Sequence, residues 1–400
     1  MKSQYTRYLA VVALLLSFIL AILGGFNILI DPYNIFRTPV IKGINEKKNE
    51  RGHITEPYRM LNESYDTLIV GSSRVQAIFC EDVTAIAPEL NADCINISTP
   101  HAYFPWLVNL VRHANRIRPV KRVILGLDFF GFNMTGGVFN PADEERLLDV
   151  PGKSDLTLIN DVLRQLFTSG TTELSINSFK DSIRTASITH GAPTATTTSQ
   201  DAQEKIFVSF YPGVLSYYQN YSFSGAQGKP SSLAYFQALL NYCMQENIQV
   251  YFFISPVHAI MLDIFQKHNL WTQYRQWESA LATMVANANA SLQSPLFVLW
   301  DFSGYNSITT TQVYNDNNKY TPNEYYADPF HYKRIVGRTM LETVLTGTCP
   351  VQDFGVLLTS ENIENHLSDL QRERELHSFK NTAYFNILSS QPQRSLNTAQ

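Results

Sequence analysis

The sequence has few metal-binding motifs and no excess of basic charge. Its 4 cysteines and 9 histidines form neither a CxxC pair nor an HExxH motif, which argues against zinc ribbons and zincins. The formal net charge of −4 leaves no basic excess to neutralise phosphates, so we expect no nucleic-acid partner. We expect no metal and no cofactor.

Charged residues are also scarce, at 16% of the 400 residues, whereas 44% are hydrophobic and 12% aromatic. This composition excludes disorder as the main state and supplies enough apolar surface for a large core. The length alone permits more than one domain.

One apolar run stands near the N-terminus. Residues 8–30 carry no charge, and as a helix rising about 1.5 Å per residue they would cross the roughly 30 Å hydrocarbon layer of a membrane. A cleaved signal peptide has a shorter apolar region, so we predict a transmembrane signal anchor preceded by a cytoplasmic tail of residues 1–7.

The flanking charges and the expected orientation disagree. Lys2 and Arg7 precede the span, but more basic residues follow it: Arg37, Lys42, Lys47 and Lys48. We discount this local bias because long domains cross membranes largely regardless of charge. The bulk of the chain is then outside the cytosol, where Cys80 and Cys94 could form a disulfide or remain free buried thiols.

After a polar juxtamembrane connector at residues 31–66, short apolar runs alternate with amphipathic helices. The predicted strands are Thr67–Val70, Cys94–Ile97, Arg122–Leu127, Gln249–Ile254 and Leu296–Trp300. This alternation predicts an α/β domain over residues 67–345, a three-layer parallel sheet with helices on both faces. The first predicted helix runs from Val75 to Ala87.

Two regions break the alternation. We predict an insertion from about residue 140 to residue 230. Within it, residues 184–203 are rich in Ser, Thr and Ala and predict a mobile loop. Residues 346–400 predict a C-terminal helix over 361–379 and a tail that is disordered after about residue 389.

Reactive residues follow the first predicted strand, where ligands bind in open parallel sheets. Gly71 allows a tight turn, and Ser72 and Ser73 lie at the N-terminus of the next helix. A serine there exposes its hydroxyl next to helix amides that stabilise an oxyanion. Either serine could equally be a simple helix N-cap.

A possible base lies near the end of the core, in a DxxH sequence at Asp328 and His331. Because serine is a weak nucleophile, it needs a base to take its proton. His331 would serve Ser73 in this way, and Asp328 would fix the imidazole tautomer and stabilise the imidazolium.

The order of these motifs resembles that of the SGNH (GDSL-type) hydrolase superfamily, over about residues 66–345. Ser73 matches the nucleophile of the first block, residues 96–101 resemble the second, residues 126–128 lie where the third is expected, and Asp328 with His331 match the fifth. The resemblance implies a flavodoxin-like sheet and a Ser-His-Asp triad.

Two oxyanion donors of that superfamily are altered. His101 stands where the second block has glycine, and Asp128 stands where the third block has asparagine. A backbone amide at His101 could still donate, but an ionised Asp128 would oppose a developing oxyanion. Asp128 could instead be protonated, bind substrate hydroxyls or cap its strand.

Four further residues are oxyanion or substrate-binding candidates: Asn96, Arg74, His258 and Asp301. Arg74 directly follows Ser73 and could hold an anionic or sugar substrate or pair with a carboxylate. His258 and Asp301 follow the fourth and fifth predicted strands. A structural role is the alternative for each of them.

In layout the chain resembles membrane-anchored members of the superfamily, the D-alanyl-lipoteichoic acid transfer and alginate O-acetylation proteins. The resemblance implies a single-pass protein of the bacterial inner membrane with a periplasmic serine acyltransferase or esterase domain. Its substrate would be O-acyl groups of a cell-envelope polysaccharide or glycopolymer, and its partner a membrane-bound O-acyltransferase. The alternatives are a non-catalytic SGNH-fold scaffold for that partner and a lipase-like enzyme.

Overall fold

Five short apolar strands lie side by side in the computed structural model of the protein. They are β1 (Thr67–Val70), β2 (Cys94–Asn96), β3 (Arg122–Leu127), β4 (Gln249–Ile254) and β5 (Phe297–Asp301). All five are parallel, and β6 (Val356–Leu357) adds to β5 in the antiparallel sense, giving the order β2-β1-β3-β4-β5-β6. The predicted α/β class and its parallel strands are confirmed. The sixth strand was not predicted, because two residues are too few to show the period of a strand.

The structure describes residues 2–48, 52–135, 147, 156–188, 204, 217–218, 220–225, 228–314 and 319–377. Eleven α-helices lie within these ranges. They are α1 (Lys2–Ile30), α2 (Thr55–Asn62), α3 (Cys80–Ile86), α4 (Phe104–Ile117), α5 (Leu156–Phe167), α6 (Ser169–Ile188), α7 (Ser232–Gln245), α8 (Ala259–Lys267), α9 (Trp271–Ala290), α10 (Arg334–Thr346) and α11 (Ile363–His377).

The helices around the sheet form two packed groups. Helix α7 packs against α4 and α9, and α3 packs against α10. The strands between them are buried along almost their whole lengths, β1 at every residue and β3 at all but the first. Strands that are buried in this way belong to a sheet covered on both faces.

The predicted single helix from Val75 to Ala87 is wrong. The segment forms a 3₁₀ turn at Ser73–Ala77 and then α3. The side chain of Asn96 explains the break, since its Nδ2 donates to the carbonyl oxygens of Val75 and Ile78 at 3.1 and 2.7 Å. A continuous helix would use those carbonyls for its own backbone bonds.

The chain forms two compact units. The first comprises residues 1–63 and 140–196, and the second comprises residues 64–139 and 197–400. The predicted insertion at about 140–230 is therefore shared between the units. Within the predicted loop at 184–203, α6 continues to Ile188 and residues 189–203 lie outside the described residues, as does the tail predicted to be disordered.

Helix α1 is long and apolar enough to cross a membrane. A stretch of 18 residues within Gln4–Ile30 has a mean hydropathy of 2.8, and most of its side chains are exposed. This agrees with the predicted span at residues 8–30.

Of the two alternatives for Cys80 and Cys94, the disulfide is the one found. It joins the first residue of α3 to the first residue of β2, with the two Cα atoms 5.4 Å apart. The loop that leads from the Ser73 turn is thereby tied to the sheet. Cys243 is buried as a free thiol, and Cys349 is half-buried.

Two glycines let the chain after β1 pack closely on β3. A Cβ atom placed on Gly126 would lie 2.4 Å from Val75 Cγ2 and 2.9 Å from Phe253 Cζ, and one on Gly71 would lie 2.3 Å from Val75 Cγ2. Neither glycine leaves room for a methyl group. The Ser73 turn therefore approaches the sheet at a distance that only glycine permits.

We predict that Gly126→Ala lowers the free energy of unfolding by about 1 to 3 kcal/mol through overpacking. Because Val75 Cγ2 is the nearest atom, the loss is smaller in a Val75→Ala background, so the two changes are non-additive. Urea unfolding of the four proteins of this cycle measures the coupling. Gly170→Ala, whose new Cβ would meet nothing within 4 Å, is the control and does not destabilise. Additive losses would contradict the packing argument.

Candidate active site

The Asp328–His331 segment is a tight turn that its own aspartate holds in shape. Tyr326 and Tyr332 form an antiparallel bridge, and the Ala327 amide donates to the His331 carbonyl oxygen at 2.9 Å. Inside this loop, Asp328 Oδ1 accepts from the amides of Phe330 and His331, both at 2.8 Å. An aspartate that bonds the backbone two and three residues on is a standard device for forming a turn.

The same aspartate orients the histidine. Asp328 Oδ2 lies 2.8 Å from His331 Nδ1, and His331 Nε2 lies 2.8 Å from Ser73 Oγ. When the carboxylate accepts a hydrogen bond from Nδ1–H, Nε2 is left as the acceptor for the serine proton. Ser73, His331 and Asp328 thus have the spacing and sequence of contacts of a Ser-His-Asp triad.

Burial differs along this chain of contacts. Asp328 is buried, whereas Ser73 is half-buried and the His331 side chain is 28% exposed. The carboxylate is therefore shielded from water while the hydroxyl and imidazole can be reached by a molecule from outside. This is the distribution expected of an orienting acid and a working nucleophile and base.

Ser73 begins the 3₁₀ turn that follows β1. The preceding residue, Ser72, is its N-cap, and its hydroxyl accepts from the Arg74 amide at 3.3 Å. Because the first N–H groups of a helical turn have no partner within it, the Ser73 amide can stabilise negative charge beside its own Oγ. Of the two serines, Ser72 is therefore the N-cap, and Ser73 is left as the candidate nucleophile.

Below this turn lies a buried network of Ser72, Arg74 and Asp128. Ser72 Oγ donates to Asp128 Oδ2 at 2.5 Å, and Arg74 Nη1 donates to Asp128 Oδ1. Arg74 and Asp128 are 2% and 5% exposed, so the ion pair is shielded from solvent on both sides. Of the alternatives for Arg74, pairing with a carboxylate is the one found. Asp128 is held by a cation and a hydroxyl at the end of β3.

Aromatic rings cover the rest of the guanidinium. Its Cζ lies 4.7 Å from the ring centroid of Phe330 and 5.9 Å from that of Tyr332. Among the described residues, Arg74 Nε and Nη2 have no hydrogen-bond partner, so these cation–π contacts are what they face. Phe330 lies inside the DxxH segment. Arg74 therefore contacts both the serine turn, of which it is part, and the segment that carries the base.

The remaining second-block candidates have other contacts. The Asn96 side chain donates to the carbonyls of Val75 and Ile78 and accepts from Ser98, so these bonds occupy the amide expected at the oxyanion. His101 is exposed, has a positive φ of 55° and stacks on Tyr217 with ring centroids 5.4 Å apart. Its backbone takes a conformation that glycine, the superfamily residue, adopts readily.

His258 supports the base segment. Its amide donates to the Pro329 carbonyl oxygen at 3.0 Å, and its Nδ1 accepts from the Ile260 amide at the start of α8. Nε2 faces the Thr311 carbonyl oxygen at 2.8 Å. Burial lowers the pKa of His258 to about 4, so the ring is neutral at ordinary pH. A structural role for His258 accounts for every one of these contacts.

Asp301 belongs to a different cluster, with Glu278 of α9 and His366 of α11. Asp301 Oδ2 lies 2.8 Å from His366 Nε2, and Ser303 Oγ donates to Glu278 Oε1 at 3.4 Å. Burial and the charge of Asp301 raise the pKa of Glu278 to about 8. Burial opposes protonation of His366, but its bond to Asp301 raises its pKa to about 9.

These three side chains are of metal-ligating types, and their ligand atoms lie within 4.8 Å of one another. The direct bond between Asp301 and His366 occupies one ligand atom of each, so a cation would have to displace it. With His366 protonated and Glu278 neutral, bound protons offset the negative charge of the cluster, as a metal ion otherwise would. Sequence reasoning missed His366 and Glu278, since nothing in a helical pattern marks them as partners of a strand end.

No family model and no curated protein matches the chain. The likeness to the SGNH superfamily therefore rests on the order of the motif residues and remains a resemblance.

We predict that Asp128→Asn destabilises the protein by about 3 to 5 kcal/mol, because it leaves the Arg74 guanidinium buried without a counter-charge. Replacing both partners, as in Asp128→Asn with Arg74→Met, restores much of the loss. Urea unfolding measures both. The ion pair of the exposed Lys121 with the half-buried Asp66 gives the control, since Lys121→Met costs less than about 1 kcal/mol. A similarly small cost for Asp128→Asn would contradict the role of the ion pair.

The raised pKa values also predict a stability that falls with pH. Because the pKa of His366 is raised from its ordinary value of 6.5 to about 9, its protonation stabilises the folded protein fully below pH 6.5. This contribution is lost as pH rises through about 9. In the unfolded chain, Glu278 is ionised above its ordinary pKa of 4.5. In the folded protein its pKa is raised to about 8, so it stays protonated up to about that pH. From pH 6.5 to 8 the native state therefore holds more protons, and its stability decreases as pH rises.

Unfolding at several pH values checks this prediction with Glu278→Gln, which keeps the shape and removes the ionisation. The variant loses less stability between pH 6.5 and 8, by about 1 kcal/mol per pH unit. Glu364→Gln, at an exposed position of α11, keeps the wild-type slope. Equal slopes for all three proteins would show that Glu278 does not hold a proton in the fold.

Proposed function

We propose that the protein is a membrane-anchored serine acyltransferase or esterase that acts outside the cytosol on O-acyl groups of a cell-envelope polysaccharide or glycopolymer. The observation that carries the proposal is the continuous contact from Asp328 through His331 to Ser73, with both joining distances at 2.8 Å. The order of the motifs, which resembles the SGNH superfamily, supports the same chemistry.

In the first step, Ser73 Oγ attacks the carbonyl carbon of the acyl donor. Its proton passes to His331 Nε2, and Asp328 stabilises the imidazolium through Nδ1–H. The tetrahedral intermediate collapses when the donor's oxygen leaves with the proton from His331. The acyl group is then an ester on Ser73.

In the second step, a hydroxyl group attacks that ester. His331 Nε2 takes the proton of the incoming oxygen and returns it to Ser73 Oγ as the acyl group departs. If the hydroxyl belongs to water the reaction is ester hydrolysis, and if it belongs to a sugar the reaction is acyl transfer. Transfer is preferred here because the resemblance in layout is to proteins of acylation pathways.

Oxyanion stabilisation falls mainly to backbone amides in this proposal. The Ser73 N–H at the start of the 3₁₀ turn is one donor, and the backbone at His101 is a candidate for the second. Asp128 replaces the asparagine of the superfamily, and its charge would oppose the oxyanion. The Arg74 guanidinium beside it offsets that charge.

Two observations support an envelope location. The helix α1 is apolar enough to serve as an anchor, and the disulfide between Cys80 and Cys94 is typical of oxidising compartments. Together with the layout, they favour the bacterial inner membrane with the second unit in the periplasm. A membrane-bound O-acyltransferase is the proposed partner.

We expect a fluorophosphonate to add once to the full chain in detergent, on Ser73. Intact-mass analysis measures the adduct. Ser73→Ala abolishes it, and His331→Gln slows its formation by about a hundredfold or more, because general-base catalysis contributes about 10² to 10⁴. The matched control is Ser72→Ala, one residue away, whose hydroxyl donates to Asp128. Ser72→Ala keeps the adduct.

An adduct on Ser72, or none on a folded wild-type chain, would contradict the catalytic proposal. The second outcome favours the alternative of a non-catalytic scaffold that docks the acyltransferase. The replacement of the superfamily glycine and asparagine by His101 and Asp128 is the feature that would fit a scaffold.

A further inference from the structure

The hairpin of α5 and α6 packs against the last turns of α1. Asn27 is 1% exposed, and its Nδ2 donates to the Leu166 carbonyl oxygen at 2.9 Å and to Thr172 Oγ1 at 3.1 Å. Ser175 Oγ donates to Asn27 Oδ1 at 2.8 Å. A Cβ on Gly24 would lie 3.2 Å from Phe167 Cε1, so the glycine admits that ring. The hairpin is thus fixed to the end of the apolar helix.

Small and polar residues line part of this seam, and Phe26 of α1 meets Phe179 of α6 edge to face in it, with ring centroids 6.4 Å apart. Helix α6 buries four hydroxyl residues along one face, Thr171, Ser175, Ser178 and Ser182. Close approach through glycine and hydroxyl residues, with a polar side chain hydrogen-bonded across the seam, is how helices associate inside membranes. The contact with α1 is therefore of the kind made in lipid.

Helix α5 has its polarity reversed relative to a helix of a water-soluble domain. Its buried face carries Asp161 and Gln165, which are satisfied internally: Tyr58 OH donates to Asp161 Oδ2 at 2.7 Å, and Gln165 Nε2 donates to Asp161 Oδ1 at 3.2 Å. Three of its apolar residues face outward instead, beside the exposed Asn160 and Arg164. Ile159, Leu163 and Phe167 are 57%, 50% and 44% exposed.

These three residues recur every four positions, so they form one stripe along α5. We define Ile159, Leu163 and Phe167 as the α5 stripe. Phe167 touches α1 at Gly24, so the stripe is continuous with the exposed apolar surface of α1. A helix that is polar inside and apolar outside does not gain by facing water.

Length and charge decide how deep the hairpin lies. The 12 residues of α5 extend about 18 Å, which is too short for the roughly 30 Å hydrocarbon layer. Helix α6 has exposed charged residues along its length: Glu173, Lys180, Asp181 and Arg184. Neither helix spans a bilayer. Both suit the boundary between headgroups and acyl chains, where an apolar face is buried and charges stay wet.

We infer that the α5–α6 hairpin is a second membrane contact, in which the α5 stripe inserts into the lipid interface beside the end of α1. The occupant of the stripe is phospholipid. The polar interior of the hairpin, its seam with α1 and the continuity of the two apolar surfaces carry this inference, which does not depend on the chemistry at Ser73.

The full chain in phosphatidylcholine–phosphatidylglycerol vesicles tests the inference. A polarity-sensitive fluorophore is attached at Leu163→Cys in a Cys349→Ser background, and doxyl-labelled lipids serve as quenchers. Leu15→Cys in α1 is the lipid standard, and Glu361→Cys, exposed in the second unit, is the aqueous standard. We expect blue-shifted emission at position 163 and at least about twofold more quenching by doxyl lipid than at position 361.

Quenching at 163 no greater than at 361 would overturn the inference. Blue-shifted emission without doxyl quenching would also overturn it, since a second copy or another protein would then cover the stripe. If Leu15→Cys is not quenched either, α1 is not in the bilayer, and both the anchor and the second contact fail. Labelling one exposed side chain leaves the buried seam intact, so failure to fold does not explain a negative result.

Discussion

The candidate site depends on one buried ion pair, that of Arg74 with Asp128. A guanidinium and a carboxylate this deeply buried are costly to separate, because either alone would face the interior unpaired. Arg74 is the residue after the proposed nucleophile, and Asp128 directly follows the neighbouring strand, β3. The pair therefore fixes where the serine turn sits on the sheet. It also brings the guanidinium against Phe330, which is inside the segment that carries His331.

The ion pair changes what the departure from the SGNH pattern means. Considered alone, a carboxylate in place of the third-block asparagine is a charge of the wrong sign beside an oxyanion. With Arg74 and Ser72 bound to its two oxygens, the carboxylate is a structural acceptor whose charge is offset. The residue that follows the nucleophile and the residue at the third block have to be considered together, since neither makes sense without the other.

Local pattern predicted much of the fold and the centre of the site. The five parallel strands were visible as short apolar runs, and Ser73, Asp328 and His331 were visible because each lies in a local motif. What failed depends on contacts between distant residues. Asn96 breaks the predicted helix at Val75 through two carbonyls, and β6 exists only because it pairs with β5. The cluster of Glu278, Asp301 and His366 joins three elements that no spacing rule connects.

The first unit shows the limit of hydrophobic patterning in another way. The apolar residues of α5 recur with the period of an amphipathic helix, but the period does not say which face is inside. Asp161 and Gln165 are buried and Ile159 and Leu163 are exposed because the partner of the helix is a polar seam, with Tyr58 and Asn27 among its members. The apolar face needs a partner of its own, and the surface continuous with it belongs to α1. Whether this arrangement is stable therefore depends on what surrounds the outward face. An apolar face is stable against lipid and unfavourable against water.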